Sequence, residues 1–204
     1  MRYQDVVGAL RTAYDGGAAG RDREVKDPWK VTERADFLRR LTDEGRERLL
    51  EVGAGTGQDS SYFRDNGLDV VAVDLSPEMV AHCRAKGLTA HVRDFLDLGF
   101  PPGSFDAVYA LNCLLHVPDA DLPAALEAIA AVLRPGGLFF LGVYGGVDYE
   151  GPLDEDEHDP PRFFSWRTDA RIREFAARSF EVVDFHVVGT GNQRFQSLTL
   201  RRPV

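Results

Sequence analysis

Five apolar runs of strand length, at residues 48–52, 69–74, 89–94, 105–111 and 137–144, punctuate the middle of the chain. Between them lie amphipathic stretches of helical length at 59–66, 77–86 and 121–133. Ser76-Pro77 and Asp121-Leu122-Pro123 supply helix start signals, and Gly67 and Gly87 supply stops. Strands alternating with helices predict a parallel sheet covered on both faces. Past Tyr144 the pattern gives way to a polar, proline-bearing loop, then a helix over 168–178 and two β-rich runs at 180–188 and 194–201. Those two runs are expected to pair as a hairpin at the sheet edge around Gly189 to Asn192. Ahead of the first strand, 3–14 and 31–41 read as helices, with the glycine-rich stretch 15–22 between them as a hinge. The expected class is α/β, a doubly wound, mostly parallel seven-stranded sheet with an antiparallel C-terminal hairpin.

Length and composition narrow the organisation. A chain of 204 residues, 44% hydrophobic and without a low-complexity linker, is sized for one core and one domain. The expected layout is a helical cap at 1–45, a binding core at 46–144, and a substrate-side loop, helix and terminal strands at 145–204. With 24 basic against 33 acidic side chains the formal net charge is -9, so nucleic acid is not an expected partner. Cys83 and Cys113 are far apart and form no CxxC pair, and the five histidines lack metal-ligand spacing, so no metal is expected. No secretion signal and no membrane-length apolar stretch is visible, which gives a cytoplasmic expectation with no membrane partner. Oligomeric state is not legible.

The candidate chemistry starts at Glu51-Val52-Gly53-Ala54-Gly55-Thr56-Gly57, a glycine-rich loop directly after the first strand and before the first helix. Ligands bind at the carboxyl ends of strands in open α/β sheets, and glycine there permits positive φ and close ligand approach. A loop without a ligand is the plain alternative, since one glycine motif alone is a weak signal. Asp74 ends the second strand about 17 residues after Gly57, near the spacing at which a carboxylate meets a ribose diol. Asp94 stands one strand further along the same edge, where it can accept from an exocyclic amine, and Leu75 and Phe95 offer apolar surface to a base. Both aspartates can instead cap helices. Position 58 is glutamine, so the last glycine of the dinucleotide fingerprint is missing, which points away from NAD.

Taken in order, the 51–57 loop, Asp74, Arg93-Asp94-Phe95, the run 105–117 and the run 133–140, Leu-Arg-Pro-Gly-Gly-Leu-Phe-Phe, resemble a class I S-adenosylmethionine (SAM)-dependent methyltransferase over roughly half the chain. The resemblance implies a Rossmann-like methyltransferase fold, SAM as cofactor and methyl transfer to a small-molecule acceptor. It further implies that Glu51, Gly53, Ala54, Gly55 and Gly57 run along the methionine part of SAM, that Asp74 binds the ribose, and that Asp94 and Phe95 read the adenine beside Leu75. Asn112 would then stand beside the sulfonium. Two carboxylates near a cationic sulfonium suit SAM better than a dinucleotide anion. A non-catalytic module of the same fold and an NAD-dependent oxidoreductase are the competing readings.

Candidates on the acceptor side are fewer. His116 follows the fourth strand and is the one candidate catalytic base, with local packing as the alternative. Tyr14, in the N-terminal cap that relatives place over the acceptor, joins His116 and Tyr144 as expected substrate contacts. Arg162 and Trp166 flank an aromatic cluster expected in a loop, suited to an acceptor's carboxylate or ring, while the acidic run 154–159 is expected to face solvent.

Overall fold

The computed structural model describes residues 1–189 and 194–204. Two helices come first, α1 (Tyr3–Arg21) and α2 (Pro28–Asp43). The alternating core follows: β1 (Arg48–Val52), α3 (Gln58–Asp65), β2 (Asp69–Asp74), α4 (Pro77–Ala85), β3 (Thr89–Val92), β4 (Phe105–Leu111), α5 (Leu122–Val132) and β5 (Leu133–Tyr144). Then come β6 (Tyr149–Pro152), β7 (Phe163–Trp166), α6 (Asp169–Ala177), β8 (Glu181–Val188) and β9 (Phe195–Arg201). The main sheet runs β3-β2-β1-β4-β5-β9-β8, parallel through β5 and antiparallel from β9, and β6 and β7 form a separate two-stranded ribbon. The strand order reverses direction between β1 and β4, which opens a crevice beyond their carboxyl ends.

Alternation along each strand sorts the core into two layers. Leu50, Val71 and Val108 are aligned neighbours in β1, β2 and β4, and they face a cluster with α1, α5 and α6. Leu49, Val70 and Ala107 are aligned one step away and face α2 and α3, where Phe37, Phe63, Tyr109 and Phe140 pack ring on ring. Leu49 and Leu50 are fully enclosed, and truncating either to Ala costs about 2 to 5 kcal/mol.

Several elements differ from the sequence expectation. The glycine-rich stretch 15–22 is not a hinge: α1 runs through Gly16, Gly17 and Gly20 to Arg21. Each internal glycine costs about 1 kcal/mol relative to Ala, and contacts outside the helix offset this. Asp15 accepts from the Ser76 hydroxyl, Asp22 pairs with Lys86, and the His158 ring lies over Gly17. α2 starts at Pro28 rather than residue 31, because proline suits the first turn. The loop expected beyond Tyr144 contains β6 and β7, whose register sets Tyr149 opposite Trp166. β3 ends at Val92, which leaves Asp94 in the following turn. The strands of the expected hairpin pair antiparallel, Val188 opposite Phe195, while residues 190–193 of its turn lie outside the described residues. Among the described residues no helix is long and apolar enough to cross a membrane.

Candidate functional site

A cavity of about 150 Å3 lies at the β1/β4 switch point. Its floor is the loop after β1. Gly53, Gly55 and Gly57 all have positive φ, at 69°, 55° and 82°, but they serve different ends. A Cβ at Gly53 would stand 2.3 Å from the Cys113 Cβ, and one at Gly57 2.7 Å from Leu88. Both glycines are required by packing. A Cβ at Gly55 would meet no atom within 4 Å, so there the bare backbone borders open space. Gly57 caps α3 and is not among the cavity-lining residues.

Asp74 braces this loop. One carboxylate oxygen accepts from the Gly55 amide at 2.8 Å and the other from the Ser76 amide at 2.9 Å. Burial raises the Asp74 carboxyl above its usual range, and those amides work in the opposite direction. The brace is a structural task for a residue that the sequence offered either as a ribose contact or as a helix cap. Glu51, at the end of β1, is enclosed and accepts from the Ser60 hydroxyl. Burial and the neighbouring Asp59 both push its carboxyl up. Asp59 is held by Lys26 at 2.6 Å and Arg34 at 2.8 Å. Ala54, Leu75 and Phe95 complete the floor and one wall.

Asn112, just past β4, adopts φ 55° and donates its amide to the Gly142 carbonyl at 2.7 Å. Its Oδ1 is buried on the cavity wall with no partner among the described residues. The opposite wall comes from the N-terminal region: Tyr3, Leu10, Tyr14 and Arg21 of α1, Lys26 from the α1–α2 connection, and Lys30 of α2. Of these the sequence pointed only to Tyr14. The signal available was the sequence of cations at 21, 26 and 30 facing a loop rich in carboxylates, legible only once α1 is known to cross the crevice.

His116 and Tyr14 meet at this wall. His116 Nδ1 lies 2.6 Å from the Phe163 carbonyl and its Nε2 2.5 Å from the Tyr14 hydroxyl. A carbonyl only accepts, so Nδ1 carries the proton, Nε2 accepts, and Tyr14 donates. The Tyr14 oxygen in turn accepts from Arg162 Nη1 at 3.3 Å. Burial holds His116 down to about 3, so the ring is neutral at ordinary pH.

Arg162 is otherwise occupied. Its guanidinium pairs with Asp156 at 2.8 Å, and Asp156 also accepts from the Arg162 amide at 2.6 Å. Burial works against ionising Asp156, yet the Arg162 contacts keep its carboxyl at about 2. The acidic run 154–159 therefore does not face solvent as a block: the Asp156 side chain is 1% exposed and spent on the arginine expected to hold the acceptor. Arg162, Trp166, Tyr144 and Asp94 are not among the lining residues. Trp166 packs in β7 against Tyr149 and Phe164, and Tyr144 against Trp29 and Phe195. Asp94 caps its own turn, accepting from the Leu96 amide at 2.7 Å.

A family model for a methyltransferase domain matches residues 49–137. Among curated proteins, the ubiquinone biosynthesis O-methyltransferase of Xanthomonas oryzae pv. oryzae (strain PXO99A) is 38% identical over 115 residues, covering 53% of this chain and 47% of that protein. The chain spans about half the length of the curated relatives it matches. Among solved structures, Burkholderia thailandensis 1,6-didemethyltoxoflavin-N1-methyltransferase, with 1,6-didemethyltoxoflavin and S-adenosylhomocysteine bound, aligns with a TM-score of 0.80 at 24% identity, covering 100% of this chain and 92% of that one. The magnesium protoporphyrin IX methyltransferase of Synechocystis PCC 6803, with SAM bound, aligns at 0.72 and 17% identity, covering 96% of each chain. At these identities the structural likeness is one of fold. The segment that matches the methyltransferase-domain model holds the glycine loop, Asp74 and Asn112.

Proposed function

We propose that this chain transfers a methyl group from SAM to a small-molecule acceptor. The observation that carries the reading is the glycine loop at the switch point, where Gly55 borders open space beside the Glu51 and Asp74 carboxylates. The residues present fit the cofactor. Asp74 retains lone pairs for ribose hydroxyls after bonding Gly55 and Ser76. Asn112 Oδ1 is an unused acceptor for the amino group, and Arg21 is a cation on the wall suited to the carboxylate. SAM bound there supplies a methyl group activated on a sulfonium.

The chain's own contribution is to hold, align and dry the site. α1 lines one side of the cavity, which favours a small-molecule acceptor. His116 is not set up as a base: its Nε2 lone pair is used by Tyr14, and burial and Arg162 both oppose the imidazolium. It fixes the Tyr14 hydroxyl instead, so an acceptor that must lose a proton is served best when it arrives ionised.

The test is calorimetric titration with SAM, S-adenosylhomocysteine and NAD, followed by mass spectrometry of acceptor panels incubated with methyl-deuterated SAM. The Xanthomonas relative is named an O-methyltransferase and the Burkholderia neighbour an N1-methyltransferase, so the panel pairs phenols with ring nitrogens. Binding of both sulfur compounds and label transfer to one panel member are expected. NAD binding without S-adenosylhomocysteine binding would overturn the reading.

A further inference from the structure

Two residues that line the cavity each carry a buried side-chain polar atom with no hydrogen-bond partner among the described residues: Asn112 Oδ1 and the Tyr3 hydroxyl. The first belongs to the site already described. The second sits on the opposite wall, on a residue 1% exposed at the first turn of α1. A buried hydroxyl without a partner loses its hydration and gains nothing in return, so native proteins seldom leave one unless something else supplies the bond.

The Tyr3 side chain is not free to look for another partner. Its amide donates to Asp121 Oδ2 at 2.6 Å, and Arg2 pairs with Asp121 Oδ1 at 2.5 Å, so the start of α1 is pinned to the α5 end of the sheet. Its ring packs against Phe95, centroids 5.7 Å apart at 37°. The phenol is held protonated by burial first and then by the carboxylates of Asp94 and Asp74. It is thus a neutral hydroxyl, able to donate or accept, on a ring packed against Phe95 in a cavity that Asp74 and Leu75 also line.

We propose that the Tyr3 hydroxyl is a hydrogen-bonding contact for the adenosine half of the cofactor, carried onto the site by α1. The assignment rests on the SAM reading above. It deepens that reading by placing part of the nucleoside recognition on the N-terminal helix, outside the 49–137 segment. On the same reading the loop and Asn112 would serve the methionine half. Nothing in the sequence marks Tyr3, because its partner is not part of the chain.

The experiment compares wild type with Tyr3→Phe, which keeps the ring and removes the oxygen. Two quantities are read: calorimetric affinity for S-adenosylhomocysteine and for 5′-methylthioadenosine, which lacks the amino-acid half, and the Tm of the ligand-free chain. The expected result is a roughly three- to tenfold loss of affinity for both ligands by the same factor, the size of one hydrogen bond. The ligand-free Tm should stay level or rise, since an unpaired buried hydroxyl has been removed. Unchanged S-adenosylhomocysteine affinity overturns the proposal, as does a loss confined to S-adenosylhomocysteine, which would place the hydroxyl at the methionine half. A lower ligand-free Tm with unchanged affinities would make Tyr3 a packing residue and also overturn it. If wild type binds neither ligand, the cofactor reading falls and takes the proposal with it; if wild type binds and the variant binds equally, only the proposal falls.

Discussion

The two sides of the cavity differ in how much of their hydrogen-bonding capacity the protein itself has used. On the cofactor side, Gly55 faces open space, Asn112 Oδ1 and the Tyr3 hydroxyl have no partner among the described residues, and Asp74 keeps lone pairs in reserve. Around His116 the accounts are closed: Nδ1 goes to Phe163, Nε2 to Tyr14, the Tyr14 oxygen to Arg162, and Arg162 to Asp156. An unfinished wall is where a ligand completes the structure, and a finished one is architecture. The polar residues nearest the expected acceptor are therefore scaffold more than recognition elements, even though His116 and Arg162 are the side chains a chemist would pick first.

The sharpest way to break that contrast is at the glycines. Gly55→Val should lower the Tm, because φ 55° strains a branched side chain, yet still fold and lose at least a thousandfold in S-adenosylhomocysteine affinity, about 4 kcal/mol, because its side chain enters the cavity. Gly53→Val should instead fail as a folded protein, since Cys113 occupies the space. Calorimetry on the first and thermal melts on both check this; a Gly55 variant that binds normally would remove the loop from the site. Next in size, Asp74→Ala should weaken binding by about 2 to 4 kcal/mol through the lost ribose acceptor. It should also lower the ligand-free Tm, because the Gly55 and Ser76 amides lose their acceptor. A binding loss with no change in Tm would separate the two roles.

On the finished wall the expectation reverses. Arg162→Ala should cost about 2 kcal/mol of stability by stranding the Asp156 carboxylate, and Asp156→Ala in the same chain should restore part of it. Cofactor affinity should hardly move, and urea melts beside calorimetry measure both. An intact Tm with a raised acceptor KM would show that Arg162 meets the acceptor after all. The smallest effect concerns a contact remote from both walls. His186 bridges Glu33 on α2 and Asp184 on β8, at 2.9 and 2.8 Å. Burial alone would lower its pKa, but the two carboxylates raise it above 6.5. A raised histidine stabilises the fold fully below pH 6.5 and loses that contribution as pH rises through its folded value. The Tm gap between wild type and His186→Asn should thus be largest near pH 5.5 and shrink by pH 8.5.

The parallel core and the residues on it were legible because their causes are local. Strand burial on both faces writes continuous apolar runs, and ligand approach writes glycines at a strand end. What the sequence hid is set by partners far along the chain. Gly16 and Gly17 read as a hinge, yet stay helical because Ser76, Lys86 and His158 meet that stretch of α1. Asp156 read as solvated, and the six residues to Arg162 carry no pattern announcing that one neutralises the other. Tyr14 was visible, but its hold on His116, more than a hundred positions away, was not.

The clamps along α1 also govern time. Its start is tied to Asp121, its middle to Ser76, and its end, through Asp22, to Lys86, which also grips the Thr56 carbonyl of the glycine loop. Because α1 supplies much of one cavity wall, loosening these ties should ease the exit of spent cofactor. The Asp22–Lys86 tie is ionic and partly exposed, so dissolved salt weakens it. Product dwell time should shorten as ionic strength rises, and slow release rather than slow chemistry would pace the enzyme in dilute buffer.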